Sequence, residues 1–162
     1  MKTDARLIPA GTRARLDELF ARFPRKPDAL LTALYIVQED CGNHLSSEVL
    51  DELAAIMEMP KSIVYEVVTF YHLYSTKPRA KNIILICQNL CCYLGGSDDI
   101  YRAVHDELGI GPGETTEDGL FTLETAECLA ACERAPAMMV NEKTYGPVDG
   151  AKVREILRKY RS

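Results

Sequence analysis

The stretch IILICQNLCC, residues 83–92, decides how the second half of this chain folds. Its first five residues form a short apolar run, which predicts a buried β-strand that delivers Cys87 at its end. Cys92 follows Cys87 at a C-x4-C spacing, and after 35 intervening residues Cys128 and Cys132 form a C-x3-C pair. Thiolates at such short, fixed spacings are how a chain presents sulfur to a metal centre.

The overall composition is typical of a soluble globular protein and argues against a protein that binds nucleic acid. The chain has 162 residues, of which 47% are hydrophobic and 27% charged, so it suits one domain or one domain with a helical extension. A net charge of -5 without a basic stripe argues against nucleic acid as a partner.

The expected compartment is the cytoplasm. The N-terminus lacks the apolar segment of a signal peptide, and residues 83–87 are too short to span a bilayer, so we expect no direct membrane insertion. Thiols stay reduced in the cytoplasm, and the six cysteines are therefore interpreted as ligands or redox groups before they are interpreted as disulfides.

Residues up to about 75 have the apolar spacing of four amphipathic helices. Their boundary signals are Pro24, Asp28, Gly42, Ser46 or Ser47, and Pro60, with the last helix running to about Tyr71. The positions expected to face the core are Leu16, Leu19, Phe20, Phe23, Leu30, Leu31, Leu34, Val37, Val49, Leu50, Leu53, Ile56 and Met57. The segment 63–71 is predicted to be helical although its residue types favour strands.

The pattern changes after the polar link at residues 76–81. We expect the strand ending at Cys87, a helix capped by Gly96 or Ser97 and ended by Gly109, and a strand over residues 120–125. A hairpin over residues 137–148 and a helix over residues 150–160 complete the order β-α-β-β-β-α. The fold class is therefore α/β (α+β), with a helical domain over residues 1–78, a small layered domain over residues 79–162, and both cysteine pairs in loops after strands.

Four thiols suffice either for a closed zinc site or for a [2Fe–2S] cluster. Spacing alone excludes neither, but the apolar periodicity is sufficient for a core without structural zinc. The small residues around Cys132, such as Ala131 and Ala135, favour a cluster because they let backbone N–H groups approach sulfur.

The residue pattern leaves some roles open. Cys91 and Cys92 are adjacent, and either one can partner Cys87 as far as spacing is concerned. Cys41 is interpreted as a small hydrophobic residue of the helical half. The absence of C-x-x-C argues against a thioredoxin-type dithiol, and no glycine-rich phosphate loop indicates a nucleotide site.

The two cysteine segments resemble those of one family. The matching residues are CQNLCC (87–92) with Gly95-Gly96, and ECLAAC (127–132) with Ala135-Pro136. They resemble the small [2Fe–2S] subunit of respiratory complex I and its relatives in NAD-linked hydrogenases and formate dehydrogenases. The resemblance also includes residues 69–71, 108–114 and 139–141, and covers roughly residues 15 to 160.

The resemblance implies a thioredoxin-like ferredoxin domain behind an N-terminal helical bundle. It implies that the cluster ligands are Cys87, Cys92, Cys128 and Cys132, which leaves Cys91 outside the ligand set. Ala130 departs from the family, because many relatives have glycine there.

The implied function is electron transfer by one [2Fe–2S] cluster in an NAD(H)-linked oxidoreductase. The helical half is expected to dock on a flavin- and NADH-binding subunit, in a complex with further iron–sulfur subunits. The chain itself is expected to transfer electrons without catalysing any bond-making reaction. Any membrane association would then come through the parent complex. The alternative from another class is a zinc-stabilised assembly module without a redox role. A free-standing soluble ferredoxin would not need residues 1–75, and their presence counts against it.

Overall fold

Apolar side chains three and four residues apart fold the first half of the chain into four helices. The computed structural model describes residues 7–161. The helices are α1 (Ala10–Phe20), α2 (Leu30–Asp40), α3 (Ser47–Ile56) and α4 (Lys61–Phe70), with a 3-10 turn at Lys26–Ala29. The predicted inward positions are buried or half-buried against one core, except Leu31, which is exposed.

The observed N-terminal cap agrees with the sequence prediction for α3 and disagrees with it for α2. Ser46 caps α3, because its hydroxyl accepts a hydrogen bond from the backbone N–H of Val49 at 3.3 Å. The prediction that Asp28 caps α2 is wrong: Asp28 lies inside the 3-10 turn and pairs with Arg25. The chain enters α2 directly from this turn, so no side-chain cap is needed there.

The β-favouring segment near residue 63 is helical, as predicted. Val64 and Val68 are both buried on one face of α4, so the helical spacing of apolar residues decides the structure over the residue types. Pro60 stands just before the helix instead of in its first turn. Gln38 then bonds to the Leu73 carbonyl at 3.0 Å and the Ser75 N–H at 2.8 Å, which fixes the chain after α4.

The second half forms a four-stranded sheet with helices. Its strands are β1 (Asn82–Cys87), β2 (Phe121–Ala126), β3 (Met138–Val140) and β4 (Lys143–Tyr145), and its helices are α5 (Leu90–Leu94), α6 (Ser97–Leu108) and α7 (Gly150–Tyr160). The strand order is β2-β1-β3-β4, with β1 and β2 parallel and the other neighbours antiparallel.

A second core lies between one face of the sheet and two helices. It contains residues of the strands, of α6 and of α7: Ile84, Ile86, Phe121, Leu123, Met138, Val140, Ile100, Val104, Val153, Ile156 and Leu157. Gly109 ends α6 with a φ of 70°, as predicted, because this left-handed conformation suits glycine. The short helix α5 was not predicted.

The chain divides into two compact units, and the boundary lies between Pro78 and Arg79. In the second unit, Arg79 and Glu124 form a two-bonded ion pair with both N···O distances at 2.7 Å. The predicted fold class, α/β (α+β) with an N-terminal four-helix segment, is confirmed. Across residues 7–161, no helix has the length and apolar character needed to cross a bilayer.

Candidate iron–sulfur centre

Parallel pairing of β1 with β2 brings the two cysteine pairs together. Cys87 is the last residue of β1 and lies opposite Ala126, the last residue of β2. Cys128 follows two residues later. Because the carboxyl ends of parallel strands share one edge of a sheet, Cys87 and Cys128 meet there, and the Cys128 thiol lies close enough to lower the pKa of Cys87.

The two adjacent cysteines of the first segment lie on a helix instead of in a loop, which corrects the sequence prediction. Cys91 and Cys92 both belong to α5, and successive residues of a helix point about 100° apart. Cys92 is therefore buried, at 1% exposure, with its thiol against Cys87, while Cys91 is exposed. Burial thus distinguishes two neighbours that spacing alone left equivalent.

The second pair is held by a tight turn. Cys128 lies in the loop after β2, and Cys132 begins a 3-10 turn that ends at Arg134. Ala130, between them, has a φ of 51°, a left-handed conformation that glycine adopts more readily than alanine. Its backbone N–H donates a hydrogen bond to Cys128 Sγ at 3.3 Å. The turn therefore directs an N–H group at the Cys128 sulfur even with alanine at this position.

The four predicted ligands form one connected group of thiols. The thiols of Cys92 and Cys128 lie close enough to Cys87 to shift its pKa, and Cys128 has the same relation to Cys132. Cys91 joins the group at one end, where its thiol raises the pKa of Cys132. No disulfide links these residues. The predicted set is thus brought together, with one additional thiol beside it.

Burial and backbone N–H groups have opposite effects on the pKa values of the two inner thiols. Burial raises the pKa of Cys87, but the backbone N–H groups of Asn89 and Leu129 and the neighbouring thiols outweigh this effect, so the pKa is lowered. Burial and the nearby Cys87 raise the pKa of Cys92, against an opposing bond from the Ala137 N–H.

Cys132 and Cys41 have raised pKa values for different reasons. At Cys132 the main cause is the hydrogen bond with Cys91, followed by charge repulsion from that thiol. At Cys41, burial in the helical unit raises the pKa first, and the carboxylates of Asp40 and Glu52 add to it. Cys41 packs against the first core, where it behaves as a small hydrophobic residue.

Two glycines make close contacts beside the cysteine segments. A Cβ on Gly95, after α5, would lie 3.1 Å from the Pro136 nitrogen. Gly146 lies so close to the Arg134 carbonyl that no Cβ fits there. Neither Gly146 nor the N–H donors of Asn89, Leu129 and Ala137 were identified from the sequence. The small residues around Cys132, and Gly95-Gly96 after Cys92, were the sequence signal of such N–H contacts.

The donor set fits a [2Fe–2S] cluster. All the clustered donors are sulfur, and the cluster takes four cysteine ligands. A closed zinc site needs four ligands around one ion, whereas a [2Fe–2S] cluster divides its four cysteines between two irons.

Comparisons with known proteins agree with this donor chemistry. An E-type subunit of the NADH-quinone oxidoreductase of Rhizobium meliloti (strain 1021) is 40% identical over 150 residues, which cover 93% of this chain and 89% of that protein. The E-type subunit of the NADH-quinone oxidoreductase of Aquifex aeolicus (strain VF5) is 36% identical over 153 residues, 94% of this chain and 95% of that protein. The HndA subunit of the NADP-reducing hydrogenase of Solidesulfovibrio fructosivorans is 34% identical over 154 residues, 95% and 90% of the two chains.

A solved structure and a family model complete the comparison. An NAD+-reducing [NiFe]-hydrogenase in the air-oxidized state has a TM-score of 0.70 at 22% identity, over 82% of this chain and 23% of that chain, which supports the fold. The family model described as thioredoxin-like [2Fe-2S] ferredoxin matches residues 16–161. The resemblance seen in the sequence is confirmed, and the cofactor is a [2Fe–2S] cluster. The chain belongs to the thioredoxin-like [2Fe-2S] ferredoxin family.

Proposed function

We propose that this chain is the electron-transfer subunit of an NAD(H)-linked oxidoreductase complex. The observation that carries the proposal is the single connected group of cysteine thiols at the carboxyl ends of β1 and β2. Cys87, Cys92, Cys128 and Cys132 are the proposed ligands. When bound, the cluster supplies a one-electron couple whose formal charge changes from 2- to 3-.

The protein's part is to bind the ligand sulfurs and to tune their surroundings. The buried thiols of Cys87 and Cys92 lie away from water, with the small side chains of Ala131 and Ala137 packed around them. The N–H groups of Asn89, Leu129 and Ala137 face these thiols. N–H donors stabilise added negative charge on sulfur, so they raise the reduction potential relative to an apolar pocket without donors.

The proposed partner is a flavin- and NADH-binding subunit. The relatives described above are named as subunits of NADH-quinone oxidoreductase and of an NADP-reducing hydrogenase, and the similarity covers nearly the whole chain. A complex with further iron–sulfur subunits follows from that likeness. The helical unit also presents exposed apolar side chains at the end of α4, namely Phe70, Tyr71 and Leu73, of the kind that protein interfaces bury.

The two compact units are proposed to have different functions. Residues 79–162 carry all the proposed ligands and have a core of their own. Residues 1–78 contain none of those ligands. We assign the helical unit to docking and the second unit to electron transfer.

The decisive experiment is electron paramagnetic resonance of the purified full-length protein before and after dithionite, with iron, sulfide and zinc assayed on the same sample. The proposal predicts a silent oxidised form, a rhombic S = 1/2 signal on reduction, and two irons with two sulfides per chain. A colourless protein with one zinc and no signal would instead support the structural module and reject electron transfer.

A further inference from the structure

Gly95 stands directly after α5 in a backbone conformation that does not require glycine. Its φ of -79° and ψ of -5° are those of a right-handed helix, which every L-residue adopts. In such a conformation glycine is less stable than alanine, because it loses more backbone freedom on folding. Its neighbour Gly96 differs, since its φ of 97° lies in the left-handed region that favours glycine. What restricts position 95 is therefore the space around it.

The space beside Gly95 is occupied by Pro136, four residues after Cys132. An added Cβ would lie 3.1 Å from the Pro136 nitrogen and 3.2 Å from its Cδ, closer than non-bonded heavy atoms ordinarily pack. Without that Cβ, α5 can approach the segment that follows Cys132. Because α5 carries Cys92, this approach joins the two cysteine segments.

The Pro136 segment has little freedom to withdraw from an added methyl group. The Pro136 carbonyl accepts a hydrogen bond from the Val148 N–H at 3.1 Å. The next carbonyl, of Ala137, accepts one from the Cys87 N–H at 3.3 Å, and Ala137 is fully buried. The segment is thus fixed to β1 on one side and to the chain before α7 on the other.

The helix α5 is the part that can move. Its one buried residue is Cys92, which packs with Cys87, Ala131 and Ala137 in a small buried cluster. Its other four residues are exposed: Leu90, Cys91, Tyr93 and Leu94. A methyl group at position 95 would therefore displace α5, and with it the Cys92 sulfur, from the segment that carries Cys132.

We propose that Gly95 is a positioning residue that sets the separation of the two cysteine segments at the cluster. It acts through Cys92, whose sulfur α5 carries, and not by binding iron. The inference rests on the proposed function, because it takes Cys92 and Cys132 as ligands. It assigns different tasks to two adjacent glycines: Gly95 permits a close approach, and Gly96 permits a left-handed turn into α6.

The test compares Gly95→Ala with Gly96→Ala in the full-length protein, loaded with cluster under identical anaerobic conditions. Gly96→Ala is the matched control, because a Cβ there meets one atom within 4 Å, Asp99 Oδ2 at 3.5 Å, but strains the backbone. Gly95→Ala is expected to shift the g values of the reduced EPR signal and to lose iron to a chelator several-fold faster than the wild type. Gly96→Ala is expected to melt at a lower temperature than the wild type, with wild-type g values.

Alkylation of the cluster-free, reduced proteins provides a readout that does not depend on loading. Cys92 is only 1% exposed, so iodoacetamide should label it slowly in the folded wild type. Labelling of Cys92 should be several-fold faster in Gly95→Ala than in the wild type or in Gly96→Ala. Fragmentation of the labelled peptide in a mass spectrometer separates Cys92 from Cys91.

Wild-type g values and iron release in Gly95→Ala would overturn the inference, as would equal shifts of the g values in the two variants. If Gly95→Ala takes up no cluster, the alkylation rates decide: faster labelling of Cys92 in this variant alone supports the inference, and equal rates reject it. A wild type without iron and sulfide would instead reject the proposed function itself.

Discussion

The adjacent residues Cys91 and Cys92 have different surroundings, and this difference leads to the first prediction. Cys92 is buried beside Cys87 and the Ala137 N–H, whereas Cys91 is exposed. We expect Cys91→Ser to retain the cluster and Cys92→Ser to lose it. Visible absorbance and iron content of the purified proteins measure the difference. Loss in the Cys91 variant alone would mean that the ligand register is wrong.

Gly146 gives a second prediction at the residue scale. Because the Arg134 carbonyl occupies the space of a Cβ, Gly146→Ala must shift the backbone after Cys132. Overpacking of this kind costs about 1–3 kcal/mol of folding free energy. Thermal melting should therefore show a lower midpoint for the variant than for the wild type.

Gly11→Ala is the matched control for this prediction. Gly11 lies within α1, and nothing comes within 4 Å of an added Cβ there. Alanine is better than glycine in a helix by about 0.5–1 kcal/mol, so this variant should melt at the wild-type temperature or above it. If both variants melted equally early, the contact between Gly146 and Arg134 would not be the cause.

Sequence spacing predicted two pairs of ligands but left Cys91 and Cys92 as alternatives, and the structure shows why it could not go further. The choice between Cys91 and Cys92 depends on which thiol α5 buries, and α5 spans only Leu90–Leu94. A helix this short contains too few residues to show an apolar period. The family resemblance, and not periodicity, gave the register in advance.

At the scale of elements, the cap of α7 gives a third prediction. Asp149 Oδ1 accepts a hydrogen bond from the Lys152 N–H at 2.8 Å, and α7 contributes Val153, Ile156 and Leu157 to the second core. Asp149→Ala should cost about 0.5–2 kcal/mol of folding free energy, while Asp149→Asn should cost little because asparagine caps equally well. Denaturant unfolding, followed by circular dichroism, measures both. Equal losses in the two variants would show that capping is not what Asp149 contributes.

Charges on the same helix give a fourth prediction, about pH. Hydrogen bonds from Lys152 and Lys159 lower the pKa of Glu155 from 4.5 to about 2. A lowered carboxyl pKa stabilises the folded state above pH 4.5, and this contribution is lost as the pH falls towards about 2. Lys159→Ala should raise the pKa of Glu155 in an NMR titration of its carboxyl carbon. A titration unchanged in this variant would show that Lys159 does not pair with Glu155 in solution.

Helices long enough to show a repeating pattern of apolar residues could be predicted from the sequence. Features that depend on local turns could not. α7 was predicted with its observed bounds, since Val153, Ile156 and Leu157 give a clear helical stripe. The prediction of how α2 begins was wrong, because the chain enters this helix from a 3-10 turn and no side chain caps it. Nor does residue spacing predict which backbone N–H groups meet sulfur.

At the scale of the whole molecule, the two units give a fifth prediction. Residues 79–162 have their own core and all the proposed ligands, so this fragment should retain the cluster. It should lose the flavin-containing partner, which the helical unit is proposed to bind. Tagged full-length and truncated proteins can be compared by affinity capture from the native cells. Bound flavin and NADH oxidation in the eluate are the readout.

Phe70→Ser is the finer version of this experiment. Phe70 is 78% exposed, so polar substitution should leave folding and cluster content unchanged while reducing the captured flavin. Leu94→Ser, equally exposed at 76% but in the second unit, is the matched comparison. If the fragment 79–162 captured as much flavin-containing partner as the full-length protein, the assignment of docking to residues 1–78 would be contradicted.

The parallel register of β1 and β2 also bears on how the centre is made in the cell. Cys87 meets Cys128 only after the whole crossover between the two strands has been synthesised and β2 has paired with β1. Long-range strand pairing of this kind forms late, because the loop must close before its contacts stabilise it. For the proposed ligand set, cluster delivery therefore follows translation of the second cysteine pair. Cluster content in an expressed sample then reports completed folding of the second unit, which carries all the proposed ligands.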